Sequence, residues 1–241
     1  EKDIITSPTI DGRNGLNNYA IVGQPLISFF GYRTNGVWNS TAEINEAKAL
    51  GLTSTLTGDL VEGGLKIVDV DQNNIINDKD RVILGNPYPD YIWGFTNNLQ
   101  YKNLDLNFTL QGVIGGELIN GDINYNEIKE RVTNYTANRW VSPSNPGDGK
   151  TPYLTNGVNP LFTDNAVEDA TYFTLREVSL GYNFNAKNLK LSNLRLSVTG
   201  QNLLFVTNNS YRGINIEART SQTSPLIDGY QRGGFPIQRT I

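Results

Sequence analysis

Acidic and amide side chains recur at close spacing in one short stretch, DVDQNNIINDKD, which spans residues 69–80. Ca²⁺ takes six to eight oxygen ligands at about 2.3–2.6 Å, and a twelve-residue loop can supply them from positions 1, 3, 5, 7, 9 and 12. Counted from the first aspartate, the residues at these positions are Asp69, Asp71, Asn73, Ile75 (through its backbone carbonyl), Asn77 and Asp80. The spacing therefore predicts a site for a structural Ca²⁺ ion.

Two other positions of this loop bear on that prediction. Position 8 is Ile76, which we expect to anchor the loop to apolar neighbours. Position 6 is usually Gly because the sharp turn needs a positive φ, and here it is Asn74. Asn tolerates the left-handed region better than most residues, so the turn remains possible. The pattern is similar to the calcium loop of dockerins, and its alternative is a polar turn without metal.

Most catalytic chemistry is excluded by composition, because the chain contains no His and no Cys. Ser-His-Asp triads, thiol nucleophiles and the usual zinc sites all need one of these residues. Paired carboxylates can cleave glycosides. Four carboxylates share one connection, and solvated surface charge explains them more simply: Glu117, Asp122, Glu127 and Glu130. We therefore expect no enzyme.

Five aromatic residues lie in predicted connections: Trp38, Tyr88, Trp140, Tyr153 and Tyr211. They could stack on sugar rings or pack the connections together, and packing is the simpler reading of each.

Charge and hydropathy narrow the class of partner. The 241 residues carry a net charge of −4 with scattered Lys and Arg, so no basic patch for nucleic acid is present. The chain contains no run of about 18 apolar residues, so no transmembrane helix is predicted. A transmembrane strand, however, needs only about 9–11 residues of alternating polarity. The chain also has no Met, so we expect it to be processed or to be part of a longer polypeptide.

Four runs alternate between apolar and polar residues over lengths typical of strands that cross a membrane. They cover residues 91–101, 104–114, 172–184 and 194–201. The first two are separated only by Lys102 and Asn103, which predicts a hairpin. In the third run the apolar phase switches near Arg176, which predicts a β-bulge.

Long connections join these hairpins at their other end, over about 35–89, 115–170 and 207–234. Connections of this length are uncommon in a compact domain unless they are functional. Weaker strands are predicted at 25–34 and 235–241. Short helices are predicted inside the connections, one over 41–50 that begins at Ser40 or Thr41 and stops at Gly51, and one over 123–140.

Two architectures are compatible with this alternation. Short turns on one side and long loops on the other are typical of outer-membrane β-barrels. A soluble, calcium-dependent carbohydrate-binding β-sandwich also has alternating strands. That second reading requires the 241 residues to fold alone in water.

The sequences of several segments resemble one family, the SusC/RagA-type TonB-dependent transporters of Bacteroidota. The segments, in the order of the family, are GLKIVDVDQNNIINDKDRVILGNPYPDYIWGFTNNLQYKNLDLNFTLQG, ANRWVSPSNP, ATYFTLREVSLGYNF, LRLSVTGQNLLFVT, YRGINIEA and GGFPIQRT. The resemblance covers nearly the whole chain. It departs from the family at Asn74, at Gly213–Glu217, where the family has G-x-D-P-E, and at Ile241, which precedes the family's closing strand.

The resemblance implies an all-β fold, a membrane β-barrel fragment that forms roughly the last third of a 22-stranded barrel. The plug domain and the final strand would be absent from the chain. The connections at 35–89, 115–170 and 207–234 would be extracellular loops carrying short helices. Apolar strand faces would contact outer-membrane lipid in a Gram-negative cell, and polar faces would line the lumen.

The function implied by the resemblance is energised, TonB-linked uptake of glycan or peptide nutrients. A SusD-like surface lipoprotein would cover the extracellular loops, and TonB with ExbB and ExbD would act through an N-terminal part outside this chain. The cargo would be an oligosaccharide or a peptide. The alternative is a structural or binding barrel subunit of a larger envelope assembly without import activity.

Overall fold

The computed structural model describes residues 4–6, 18–126, 137–153, 161–185, 191, 194–218 and 228–241. In these ranges no helix is both long and apolar enough to span a membrane. The chain divides into two compact units. The first comprises Glu1–Pro87, Leu118–Glu168 and Arg219–Gly233, and the second Tyr88–Glu117, Asp169–Ala218 and Gly234–Ile241.

Strands dominate the described residues, with two short α-helices among them. The elements in chain order are β1 (Ile4–Thr6), β2 (Asn18–Ile21), β3 (Ser28–Tyr32), β4 (Thr34–Val37), α1 (Thr41–Ala49), β5 (Thr53–Ser54), β6 (Leu65–Ile67), β7 (Ile75–Ile76), β8 (Arg81–Gly85), β9 (Tyr91–Tyr101), β10 (Leu104–Ile114), β11 (Glu117–Asn120), α2 (Gly121–Asn126), β12 (Val167–Asp169), β13 (Tyr172–Phe184), β14 (Leu194–Thr207) and β15 (Tyr230–Gln231). Single 3₁₀ turns lie at Asp78–Asp80 and Asp164–Ala166.

The first unit is an assembly of small sheets around two apolar clusters. Its largest sheet has the order β1-β2-β3-β8, and β12-β11-β15, β4-β6 and β5-β7 form smaller ones. One cluster contains Ile27, Phe29, Ile119, Phe162, Ala166 and Tyr230. The other contains Tyr32, Leu65, Ile67 and Ile76. Since β3 supplies both Phe29 and Tyr32, this strand links the two clusters.

Helix α1 begins and ends where the sequence predicts. The hydroxyl of Ser40 accepts a hydrogen bond from the Glu43 amide, at 3.3 Å, so Ser40 is the N-cap. Gly51 has φ +89°, the left-handed conformation in which Gly commonly stops a helix. Glu43 pairs with Lys66 at 2.5 Å, and the ammonium group of that lysine lies over the Trp38 ring. The helix is thereby tied to the core of the first unit.

Several elements differ from their predicted extents, among them β14, which continues from the predicted end at Gln201 to Thr207. Helix α2 begins at Gly121 because the side-chain oxygen of Asn120 accepts the amides of Asp122 and Ile123. Residues 127–136 of the helix predicted over 123–140 lie outside the described residues, and residues 137–140 are not helical. The strand predicted over 235–241 is reduced to one antiparallel bridge between Gln201 and Thr240. The strand predicted over 25–34 is observed as the shorter β3, and β4 lies almost wholly in the predicted connection that follows it.

The second unit is a four-stranded antiparallel sheet of order β14-β13-β10-β9, with strands of 11 to 14 residues. The predicted hairpin between β9 and β10 is confirmed, and Lys102 takes φ +54° in its turn. The predicted bulge is confirmed as well. Glu177 pairs with Thr109 whereas Leu175 pairs with Leu110, so Arg176 is the extra residue.

The sheet has one apolar and one polar face, as the alternation predicts. One row across the four strands consists of Leu99, Leu106, Leu180 and Val198. The adjacent row, on the opposite face, consists of Asn98, Asn107, Ser179 and Thr199. Val198 is 64% exposed and Tyr101 is 71% exposed, so the apolar face is uncovered among the described residues. Such a surface suits lipid far better than water.

A glycine on each face lets side chains of neighbouring strands meet. On the apolar face Trp93 stacks on Phe173 with ring centroids 5.8 Å apart, and a Cβ at Gly112 would lie 2.5 Å from the indole. On the polar face Arg195 reaches Asp105 at 2.5 Å. That ion pair passes over Gly181, where a Cβ would lie 2.5 Å from the guanidinium.

Candidate functional site

The acidic loop, residues 69–80, connects β6 to β8 in the first unit and contains β7. Its apolar anchor is the predicted one, because Ile76 is 3% exposed and packs in the cluster with Leu65 and Ile67. β7 also pairs in parallel with β5. The polar residues on either side of Ile76 are therefore carried on a loop with a fixed apolar base.

Three of the six predicted ligands come together. Carboxylate oxygens of Asp69, Asp71 and Asp80 all lie within 4.8 Å of one another. Two oxygens bound to the same Ca²⁺ are separated by at most about 5 Å, twice the usual Ca–O distance, so the three carboxylates fit one cation.

Asp80 is fully buried and also organises the backbone of the loop. One of its oxygens accepts the Val70 amide at 2.8 Å, and the other accepts the Asn77 amide at 2.8 Å. The carboxylate therefore ties the start of the loop to its end. Its charge faces the carboxylates of Asp69 and Asp71, an arrangement of like charges that a bound cation would stabilise.

The other three predicted ligands make hydrogen bonds inside the loop. The side-chain oxygen of Asn73 accepts the Ile75 amide at 2.7 Å. Asn77 donates through its side-chain amide to the Ile75 carbonyl at 2.8 Å and accepts the Lys79 amide at 2.8 Å. Each of these oxygens has a second lone pair, so the bonds leave them able to bind a cation.

The departure at position 6 causes no break in the turn. Asn74 adopts φ +62°, the left-handed conformation that a Gly would take. Its amide donates to one carboxylate oxygen of Asp69 at 2.7 Å, and the Asn73 amide donates to the other at 3.3 Å. The tolerance of Asn for positive φ, expected from the sequence, is thus observed.

A contact that the sequence did not predict joins this loop to the sheet. The Tyr32 hydroxyl on β3 donates to Asp78 at 2.8 Å, across 46 residues of chain. No local spacing signals such a pair, since the partners meet only after β3 and β8 have paired in the folded unit.

The carboxylate group considered for acid–base chemistry is not assembled as a catalytic pair in the part of the chain described. Asp122 accepts the Gly233 amide at 3.0 Å, which gives it a structural partner, and Glu117 lies on β11. Glu127 and Glu130 lie outside the described residues.

The loop aromatics divide into two kinds. Trp38 and Trp140 are buried, and the indole nitrogen of Trp140 donates to Asn39 at 3.2 Å, so both pack loops together as expected. Tyr153 is half-buried and Tyr88 is 39% exposed. Tyr211 is half-buried and lines a pocket in the second unit.

A polar cluster in the second unit surrounds the bulged residue, and sequence reasoning did not find it. Arg176 pairs with Glu217 and donates to Gln111 at 3.2 Å. The Tyr172 hydroxyl donates to Glu217 at 2.8 Å. Burial opposes ionisation of Glu217, but the hydrogen bonds from Arg176 and Tyr172 outweigh it and lower the pKa of the carboxyl. The cluster fastens residues 208–218 to the sheet.

Comparison with known proteins gives a consistent result. The chain is 36% identical over 229 residues to the TonB-dependent receptor P3 of Formosa agariphila, which is 91% of this chain and 22% of that protein. It is 33% identical over 242 residues to TonB-dependent receptor P26 of the same organism, 93% of this chain and 23% of that protein. It is 24% identical over 159 residues to the TonB-dependent receptor SusC of Bacteroides thetaiotaomicron, 64% of this chain and 15% of that protein.

Solved structures agree on the fold. The RagAB peptide transporter matches 98% of this chain and 23% of its own, with a TM-score of 0.67 at 16% identity. The 'open-open' state of the RagAB peptide importer matches the same shares with a TM-score of 0.62. No protein-family model matches the chain. The chain spans less than a quarter of the relatives and structures that it matches.

Two observations define the class of protein. The second unit is an amphipathic sheet of long strands, and the similarity to TonB-dependent receptors extends over more than nine tenths of the chain. The chain is therefore a segment of a TonB-dependent receptor barrel. The resemblance to the SusC/RagA type is confirmed by these receptors, with SusC itself among the relatives and RagAB among the structures of the same fold. The predicted barrel-fragment fold and outer-membrane location are confirmed by the same relatives. These are receptors and not enzymes, as expected for this chain.

Proposed function

We propose that this chain forms part of the barrel of a transporter that takes up nutrients across the outer membrane with energy supplied through TonB. The similarity to TonB-dependent receptors over 91% and 93% of the chain carries this proposal. The amphipathic sheet supports it, because a barrel wall needs an apolar face toward lipid and a polar face toward water.

The cargo and the lid follow from the type of receptor. We expect an oligosaccharide or a peptide as cargo, and a SusD-like surface lipoprotein as the partner that covers the extracellular loops. RagAB, whose structure is similar, is named as a peptide importer, and this favours a peptide over an oligosaccharide. The greater part of the predicted loops at 35–89 and 115–170 lies in the first unit, whereas the loop at 207–234 is divided, with 207–218 in the second unit and 219–233 in the first. These loops supply the surface that such a lid would contact.

Uptake in the native bacterium tests the transport function. Cells in which the gene for this polypeptide is deleted should lose growth on one class of oligosaccharide or peptide, and deletion of TonB should cause the same loss. Deletion of the gene for the expected SusD-like lipoprotein should weaken the same growth. Normal growth of the deletion strain on every such nutrient would instead support a barrel with only a structural role.

The acidic loop has a separate role in this proposal: residues 69–80 bind one Ca²⁺ ion that stiffens the connection between β6 and β8. The support is the mutual distance of the Asp69, Asp71 and Asp80 carboxylates. Further support is the position of the Asn73, Ile75 and Asn77 oxygens at the remaining ligand spacings of a calcium loop. All six predicted ligands are side-chain or backbone oxygens of the loop itself, so the ion would have a structural role.

A chelator tests the calcium site. The thermal unfolding midpoint of the native polypeptide should fall when EDTA replaces Ca²⁺, because a ligand that binds only the folded state stabilises it. The double variant Asp69→Ala and Asp71→Ala should show no such difference. The exposed Asp59→Ala is a matched control that should keep it. An identical midpoint with and without EDTA in the unmutated protein would exclude the site.

A further inference from the structure

A second concave site lies in the second unit, at the end of β14. It is a pocket of about 380 Å³, a volume within the range of small-ligand sites. Its walls include the rings of Phe205 and Tyr211, the side chains of Ile214 and Ile237, and two polar groups, Thr207 and Arg239. Polar and apolar atoms both line this pocket, a combination that suits a ligand with a charged end and an apolar body.

The wall that contains Tyr211 and Ile214 is fixed to the sheet. It is followed by Glu217, which pairs with Arg176 and accepts the Tyr172 hydroxyl. Tyr172 in turn stacks on Phe205 with ring centroids 5.2 Å apart. The aromatic floor and the loop wall are thus held by the same cluster.

The opposite wall, formed by residues 235–239, is fixed independently. Its Phe235 carbonyl accepts the side-chain amide of Asn215 at 3.0 Å, and its Gln238 carbonyl accepts that of Asn202 at 3.1 Å. Thr240, just beyond, pairs with Gln201 through two backbone hydrogen bonds. Because both walls are hydrogen-bonded to β13 or β14 or to each other, the pocket is formed before any ligand arrives. A ligand therefore loses little free energy in ordering it.

Charge selects the ligand. Arg239 is the charged residue among those that line the pocket, and no described carboxylate forms a salt bridge with it. A guanidinium beside aromatic and branched apolar side chains attracts an anion that carries an apolar or ring-shaped body.

We propose that this pocket binds a carboxylate attached to a ring or an apolar side chain, with Arg239 on the carboxylate and Phe205 and Tyr211 on the attached group. Two sources offer this chemistry: an acidic sugar and the apolar C-terminal residue of a peptide. That the bound group is part of the transported cargo rests on the proposed function, but the binding itself does not.

Two pairs of probes test the pocket on the native polypeptide purified in detergent at pH 7. One pair is N-acetylphenylalanine and its amide, and the other is methyl glucuronide and methyl glucoside. By calorimetry, at least one acid should bind, and its neutral counterpart should bind at least about tenfold more weakly, since a hydrogen bond to a charged group is lost. The acid that binds identifies the source.

Two variants distinguish binding in the pocket from binding elsewhere on the protein. Arg239→Gln should weaken the acid at least about tenfold, whereas Lys102→Gln, the same charge change in the β9–β10 hairpin, should leave its affinity unchanged. Both variants should keep the unmutated thermal midpoint. The proposal is overturned if neither acid binds, or if Arg239→Gln and the unmutated protein bind the acid equally. Binding that persists when TonB-dependent uptake is absent would reject the transport proposal and leave the pocket standing.

Discussion

Single side chains in this protein fix connections that are remote in sequence. Asp80 accepts two backbone amides from the ends of its own loop, and Glu217 accepts hydrogen bonds from two residues of β13. Sequence spacing placed Asp80 in the loop but suggested only a metal ligand. It gave no indication for Glu217, because its partners Arg176 and Tyr172 are 41 and 45 residues away. Spacing can predict contacts within a turn, whereas contacts across a sheet depend on strand register.

Asp80 should matter for stability even without metal. Asp80→Ala leaves the partly buried amides of Val70 and Asn77 without their acceptor, which should lower the free energy of unfolding by about 1–3 kcal/mol. Chemical denaturation in the presence of EDTA measures this effect apart from any loss of Ca²⁺. The exposed Asp59→Ala should stay within about 0.5 kcal/mol of the unmutated protein. Equal stability of the two variants would mean that the amides find other partners.

The ion pair of Glu217 should make stability depend on acidity. The pKa of its carboxyl is lower in the folded than in the unfolded state, so the folded state binds fewer protons. The stabilisation is complete above the ordinary value of about 4.3 and is lost as the pH falls through the lowered value. Glu217→Gln should therefore reduce the fall in unfolding midpoint on acidification below that pH.

The matched control for this titration is Glu46→Gln. Glu46 is an exposed glutamate of α1 whose side chain makes no hydrogen bond to the described residues. If Glu217→Gln and Glu46→Gln gave the same midpoint at every pH, the pair with Arg176 would have no net effect on folding.

At the scale of the strand, alternation proved the most informative signal. The hairpin and the bulge at Arg176 appear where the sequence predicts them, because each depends on period and turn chemistry alone. The four runs are all strands, and the last continues beyond its predicted end at Gln201 to Thr207. The small sheets of the first unit were not predicted in this detail. Their strands have two to five residues, too few for a period to be recognised, and β5 pairs with β7 across a long connection.

A charge tests which strand face contacts lipid. Leu106 lies in the row with Leu99 and Leu180 on the apolar face. Leu106→Arg should lower the free energy of folding into a bilayer by about 2–4 kcal/mol if this row lies near the membrane midplane. Urea titration in lipid vesicles measures that cost.

The neighbouring position provides the control for Leu106→Arg. Asn107 belongs to the row on the polar face, so Asn107→Arg should fold with little change. A larger cost for Asn107→Arg than for Leu106→Arg would reverse the assignment of the two faces.

At the scale of the whole molecule, the amphipathic sheet explains why this chain needs more barrel around it. The described part of β9 and the part of β14 before Gln201 have an edge without a paired strand, and edges exposed to lipid are costly. Composition and alternation indicated a barrel segment but could not separate it from a sandwich. The segments that resemble the family, and the similar receptors, favour the barrel over the sandwich. Alternation alone could not do so, because closure of a barrel depends on strands outside these 241 residues.

The native polypeptide should be long enough to supply the remaining strands of the barrel. In the relative P3, 229 aligned residues make up 22% of the protein, so we expect a native chain of about a thousand residues. Mass spectrometry of the detergent-solubilised outer-membrane fraction, with peptides from this sequence as markers, measures it. A native chain of about 241 residues in the soluble fraction would contradict the barrel assignment.

Gly181 has a further consequence, which concerns how the sheet can change over evolutionary time. Asp105 on β10 and Arg195 on β14 meet only because the residue between them on β13 has no side chain. Any larger residue at position 181 prevents the ion pair, and selection for Asp105 and Arg195 as partners is then lost. The three positions should therefore be inherited and lost together, and would appear as a covarying triplet spanning three strands when relatives are aligned.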